Sequence, residues 1–157
     1  MQRVKIICDI SPEQNLPLLS ESLWAEDMGD DLYKLSNTPF FAEGLAYQDI
    51  IKTRHDSDGF LHFHTLHNDG GLYTSLVAVS EESEKAHEKL RAFLRADTDY
   101  SWEFGFKALY AICCPIKLLT PLHQFLEEGF EAGLWEWDAT KLPTVDQWQA
   151  FNKTQQE

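Results

Sequence analysis

The stretch Glu21 to Ile51, ESLWAEDMGDDLYKLSNTPFFAEGLAYQDII, is punctuated like a β-module. Leu23 and Ala25 stand two positions apart between the polar Ser22 and Glu26, and Gly29-Asp30-Asp31 then supplies a turn. Leu32, Tyr33 and Leu35 form a second run, ended by Ser36-Asn37-Thr38-Pro39, and a third run begins near Leu45. Gly, Asp, Asn and Pro each favour turn geometries for their own physical reasons, so short apolar runs between them predict strands joined by tight connections. Trp24, Tyr33, Leu35, Phe40 and Phe41 are suited to a packed β-core.

Working outward, residues 4–8 are a β-branched run, and residues 22–26, 32–35, 45–53 and 60–66 complete a set of five short strands. Asp56-Ser57-Asp58-Gly59 is the turn before the last of them. Residues 12–19 are apolar but carry two prolines and read as a loop. Five short strands at this spacing predict a small barrel or strongly curved sheet over residues 1–69.

Beyond Asn68-Asp69-Gly70-Gly71 the pattern changes. Residues 72–79 predict a strand. Ser80 is a candidate cap for a helix with Glu81, Glu82 and Glu84 early and Lys89, Arg91 and Arg95 late, the order that complements the helix dipole. Ala86, Leu90, Phe93 and Leu94 share one face of that helix. Residues 100–106 and 108–116 predict two strands, the second almost wholly apolar and therefore central. Thr120-Pro121 predicts the start of a second helix, with Leu122, Phe125, Leu126 and Phe130 buried and Gly133 at its end. Residues 134–137 predict a last strand. The order β-α-β-β-α-β is the ferredoxin-like arrangement, assigned to residues 70–141. Residues 142–157 form a helical tail, begun by a capping box at Thr144 and Gln147 that docks Val145, Trp148 and Phe151. The expected fold class is thus α+β: a barrel-like module followed by a ferredoxin-like unit.

The net charge is −13 and the isoelectric point about 4.7. Residues 1–69 carry 5 basic and 12 acidic side chains, and residues 70–157 carry 8 and 14, so the excess is spread along the chain. Such a field repels phosphate backbones and anionic membranes and speeds encounter with a basic partner. Solubility alone also accounts for an acidic chain. No window approaches the apolar length of a membrane span, and Met1 to Asp9 lacks the apolar run of a secretory signal. Three cysteines, Cys8 and the adjacent Cys113 and Cys114, make no disulfide framework and fit a reducing cytoplasm.

With these turns in place, the chain resembles a bacterial family of unknown function, domain of unknown function 4265. The resemblance rests on Ser22-Leu23-Trp24-Ala25-Glu26, Gly29-Asp30, Tyr33-Lys34-Leu35, Asn37, Pro39-Phe40-Phe41-Ala42, Gly44-Leu45-Ala46-Tyr47 and Asp49-Ile50-Ile51. The family pattern has glycine before that last aspartate. Gln48 stands there in this chain and disfavours a left-handed backbone. The resemblance implies a small bacterial cytosolic protein and, loosely, an association with immunity partners of secreted toxins. It carries over no catalytic residue and no cofactor.

Four constellations bear on chemistry. His62 and His64 fall on one face of a strand, about 7 Å apart by strand rise, with His55 on the preceding strand. They read as a solvent-facing hairpin or, as the alternative, a metal site, with His67 on the opposite face. Cys113 and Cys114 sit in an apolar run and read as core residues. Glu127, Glu128 and Glu131 lie off the apolar stripe of their helix, beside Trp135-Glu136-Trp137-Asp138 on a strand. This reads as a solvated acidic face or, with exposed tryptophan, a protein-binding hot spot. Finally, the chain contains no phosphate-binding glycine loop, nucleophile elbow or His-Glu-x-x-His.

The function expected from these residues is binding: an acidic immunity protein that occludes the active site of a basic toxin, a nuclease being one such target. The expected partner surface is Glu26, Asp27, Asp30 and Asp31, together with Glu127, Glu128, Glu131, Trp135, Glu136, Trp137 and Asp138. The alternatives are a small metal-dependent enzyme using His55, His62 and His64, and a ligand-sensing adaptor.

Overall fold

Period-two burial builds the first half of the computed structural model, which describes residues 2–14 and 18–156. Strands β1 (Arg3–Asp9), β2 (Ser20–Gly29), β3 (Leu32–Leu35), β4 (Ile50–His55) and β5 (Leu61–Asn68) close into a barrel in chain order. Neighbours pair antiparallel, and the seam between β1 and β5 is a parallel pairing at Ile7 and His62. Ile6, Cys8, Leu23, Ala25, Tyr33, Leu35 and Ile51 point inward and form the barrel core with Ala42 and Leu45. Gly29, Asp30 and Asp31 all take positive φ at the tip between β2 and β3, beside a register shift at Asp27 and Gly29. Pro12–Gln14 is a single 3-10 turn, and residues 15–17, part of the expected loop, lie outside the described residues.

The second half is a four-stranded antiparallel sheet of β6 (Leu72–Val79), β7 (Ser101–Gly105), β8 (Leu109–Pro115) and β9 (Trp135–Lys141). Its spatial order is β7-β8-β6-β9, so the apolar β8 is central, as its composition requires. Helices α1 (Glu84–Arg95) and α2 (Ile116–Glu131) carry Ala86, Leu90, Leu94, Leu119, Leu122 and Leu126 into one core with Val77, Tyr110, Ile112 and Cys114. Phe93 of α1 stacks on Phe125 of α2 at 4.0 Å between ring centres. Helix α3 (Val145–Gln155) begins with the expected reciprocal capping box at Thr144 and Gln147. The architecture is α+β, with two sheets and three helices.

Several expectations are corrected. Residues 45–49 are not strand: β4 starts at Ile50, because Asp49 is fully buried and its carboxylate accepts hydrogen bonds from the loop N–H groups of Ala46 and Gly70. Gln48 does take a left-handed backbone, with φ +75°. Helix α1 starts at Glu84 with Ser83 as its cap residue, so Ser80, Glu81 and Glu82 precede it. Helix α2 starts at Ile116 and keeps Pro121 in its interior. Burial of Leu119 on the N-terminal side of that proline and Leu122 after it holds the turn together although one backbone bond is lost. Phe130 is 48% exposed. Gly129 occupies the buried position instead, because a Cβ there would fall 2.0 Å from the Trp135 ring. Val145 is exposed, and Trp148 is the α3 residue that packs against the second core.

The barrel joins the second sheet across the sheet face that points away from α1 and α2. Alternation along β8 sends Tyr110, Ile112 and Cys114 toward the helices and Ala111 and Cys113 toward the barrel. The connection between β3 and β4 fills the junction. Thr74 Oγ1 donates to the Leu45 carbonyl, the Tyr47 N–H to Cys113 Sγ and the Gly44 N–H to the Thr140 carbonyl. At one end, Lys141 Nζ donates to both oxygens of Asp49, at 3.0 and 3.1 Å, and to Asp69 at 2.9 Å. Gln147 of α3 also donates to Asp69, so the pin joins barrel, sheet and tail.

Candidate functional site

Among the described residues the other end of the junction is open, and its geometry starts from two carboxylates. Glu21 on β2 accepts hydrogen bonds from three successive backbone N–H groups, those of Phe40, Phe41 and Ala42, at 2.7, 3.1 and 3.0 Å. Glu103 on β7 accepts from the Thr38 N–H at 2.9 Å and from Asn37 Nδ2 at 3.2 Å. Asn37 Oδ1 in turn accepts the Trp24 N–H at 2.7 Å. A barrel strand and a strand of the second sheet thereby splint the same segment, and Asn37-Thr38-Pro39-Phe40-Phe41 is held where no regular ladder reaches it.

This segment lines a cleft of about 360 Å³ together with Leu18, Leu23 and Phe106. Phe106 sits at the tip of the β7–β8 hairpin and is 61% exposed. Its ring lies edge-on to Phe40 and Phe41, with centres 5.4 and 5.3 Å apart. Phe106 and Lys107 both take positive φ, +53° and +65°. They open a three-residue connection, Phe106-Lys107-Ala108, closed by the Gly105 and Leu109 pair, and such left-handed positions favour Gly or Asn because a Cβ is disfavoured there. Among the described residues, neither Glu21 nor Glu103 has a Lys, Arg or His nitrogen within 4.0 Å. The cleft is thus apolar at its floor and negative at its walls.

Phe40 and Phe41 are therefore not barrel-core residues, although Tyr33 and Leu35 are. Trp24 is likewise outside the core: it is 41% exposed, and Arg3 and Lys5 lie over its ring at 5.6 and 5.3 Å. Sequence reading missed Glu21 and Phe106. The one local signal was Phe106-Lys107 between two strands, an aromatic residue at a position where a turn former belongs.

The expected acidic surface divides in two. Asp27, Asp30 and Asp31 are exposed at the β2–β3 tip, with Glu26 partly buried beside them. Glu127, Glu128 and Glu131 are exposed on α2, and Glu136 and Asp138 are exposed on β9. Helix α2 and the barrel lie on opposite faces of the second sheet, so these two groups stand on separate units. Trp135 is buried and donates its indole N–H to the Leu126 carbonyl at 2.8 Å. Trp137 is partly buried and donates to Glu127 at 3.1 Å.

His62 closes the barrel seam. Its Nε2 lies 2.7 Å from Asp56 and its Nδ1 3.1 Å from Asp9. The bond to Asp56 and then that to Asp9 raise the His62 pKa above 6.5, and the same His62 bond lowers that of Asp56. His55, His64 and His67 are exposed. Among the described residues no three His, Cys, Asp or Glu side chains converge as a metal site. Ser75 Oγ lies 3.1 Å from His123 Nε2, with Trp137 against the imidazole. Ser75 is fully buried, which denies a substrate access to its hydroxyl, and burial lowers the His123 pKa. His87 and Tyr110 pair at 2.7 Å, and Arg91 Nε donates to the Tyr110 oxygen at 2.9 Å. Burial pushes Cys8 and Cys114 to about 12 and also raises Cys113, whose Sγ faces Thr74 Oγ1 at 3.3 Å. These thiols lack the electropositive, open setting that activates cysteine.

The model of the family described as domain of unknown function (DUF4265) matches residues 21–137, and the chain belongs to that family. The match begins at the splinting Glu21 and spans the whole cleft segment. The crystal structure of a hypothetical protein from Neisseria gonorrhoeae is similar, with a TM-score of 0.76 and 21% identity over 92% of this chain and 99% of that one. This likeness concerns the fold. No curated protein matches the chain. No helix among the described residues is long and apolar enough to cross a membrane.

Proposed function

We propose that this is an acidic binding protein whose partner is a basic protein, acting as an immunity protein acts when it occludes a toxin's active site. The observation that carries the reading is the exposure of carboxylates on both halves of a chain with net charge −13. Asp27, Asp30 and Asp31 project from the barrel, and Glu127, Glu128 and Glu131 from α2. Such a surface accelerates encounter with a cationic partner and disfavours nucleic acid and anionic membranes. Acidic side chains would occupy the positions that substrate phosphates take in a nuclease, and the cytoplasm is where such a protein would act. No metal or cofactor enters this reading.

The finer architecture fits the same view. We read residues 1–69 as a barrel-like module, 70–141 as a ferredoxin-like unit and 142–157 as a helical tail docked on it. The order β6-α1-β7-β8-α2-β9 supports the ferredoxin-like reading, and the two separate cores support the division. The test is co-expression with the product of the adjoining gene. A stable complex that protects cells from that product is the expected result; no complex and no protection would overturn the proposal.

A further inference from the structure

We propose that the cleft between barrel and second sheet receives a peptide segment of the partner in which an aromatic or leucine side chain stands beside a lysine or arginine. This deepens the binding reading above and rests on it. The occupant follows from the cleft's own chemistry. Its floor is the cluster of Phe40, Phe41 and Phe106, tilted and edge-on to one another, which offers an apolar side chain rings on several sides. Its walls hold Glu21 and Glu103, whose bonds are all to N–H groups of the neutral segment 37–42. Those bonds fix the carboxylates in place without neutralising them, so a cation entering the cleft meets two preorganised negative charges.

The apolar surface also extends past the cleft mouth. Phe106 is 61% exposed and Leu19, next to the lining residue Leu18, is 89% exposed. A volume of about 360 Å³ is at the small end for ligand pockets, while the rim reaches outward, which suits a chain laid across the junction with one side chain inserted. Phe106 has the properties of a binding anchor: large, aromatic, central to the cleft, and retained at a left-handed position that favours Asn or Gly.

The experiment uses the full chain, labelled with nitrogen-15, and short synthetic peptides in which Lys or Arg alternates with Phe or Leu. Peptides with Glu in place of the basic residues, and with Ser in place of the apolar ones, are the controls. Binding is read by calorimetry and by amide shifts. The basic-apolar peptides are expected to shift the amides of Asn37, Thr38, Phe40 to Ala42 and Gly105 to Lys107, with affinity falling as salt rises. The double substitution Phe106→Asn with Lys107→Gly should raise resistance to urea, because Asn and Gly tolerate the left-handed backbone at both positions, yet weaken peptide binding by at least about tenfold. A stabilised variant that binds as well as the parent overturns the cleft while leaving a basic partner at another surface. No binding by any basic peptide also overturns the cleft, and the co-expression test then decides the wider reading by itself. Equal binding of the Glu controls removes the charge argument and the proposal with it.

Discussion

Replacement of Lys141 by methionine should be among the most damaging single changes in this protein. Lys141 is 7% exposed and faces Asp49, which is 0% exposed. Methionine keeps the unbranched apolar stem of lysine and ends one atom short, where the ammonium stood, so packing is largely conserved and the loss is mainly electrostatic. Three hydrogen bonds disappear, two to Asp49 and one to Asp69, together with the ammonium's contact over the Tyr73 ring at 5.3 Å. Asp49 then remains as a buried carboxylate supported only by the N–H groups of Ala46 and Gly70. Removing one partner of a buried pair costs about 3–5 kcal/mol. For a chain of this size that is a fall in melting temperature of about 6–20 °C. Adding Asp49→Asn removes the stranded charge and should recover part of the loss. Urea titration at constant m-value, followed by circular dichroism, measures both variants. A loss below about 1 kcal/mol for Lys141→Met, the range of an exposed pair, or no recovery in the double variant, would refute the view that this pin is a dry ion pair.

Three further outcomes are expected. Gln48→Gly should stabilise the protein by about 0.5–1 kcal/mol, the relief of a left-handed Gln less the chain entropy of glycine, whereas Gln48→Ala should yield no gain in the same urea titration. His62 has a raised pKa, so its contribution to the seam is complete below 6.5 and is lost as pH climbs through the raised value. Asp56 has a lowered pKa, so its share is present above 3.8 and is lost as pH falls through the lowered value. His62→Gln should flatten the alkaline decline in a pH series of melting temperatures. Cys8, Cys113 and Cys114 are buried with raised pKa values, so a thiol reagent at pH 8 should label none of them until the protein opens; rapid labelling of the native protein would contradict their placement.

Much of the architecture was legible because local patterns carried it. Alternation at Leu23 and Ala25 and at Tyr33 and Leu35, the apolar run of β8, and Thr144 with Gln147 at the start of α3 each specify an element through contacts a few residues apart. Local patterns misled where a distant partner overruled them. Pro121 reads as a helix start, yet α2 begins five residues earlier because Leu119 has a core to enter. Residues 45–49 read as strand, yet Asp49 is drawn into a loop by Lys141, 92 positions away. Gln48 takes φ +75° under the same constraint.

The cleft shows the division most clearly. Pattern and composition were enough to mark Asn37-Thr38-Pro39-Phe40-Phe41 as a turn followed by aromatic residues, and to establish the charge of −13, since both are properties of neighbours or of sums. Which way the two phenylalanines face depends on Glu21, some 20 positions before them, and on Glu103, some 65 positions after the turn. Those carboxylates gather the segment's free N–H groups at the junction of two cores and turn its rings toward Phe106. A residue's own neighbours encode whether it bends or extends the chain; whether it is covered depends on long-range pairing, and here that pairing left three aromatic rings at an acidic opening.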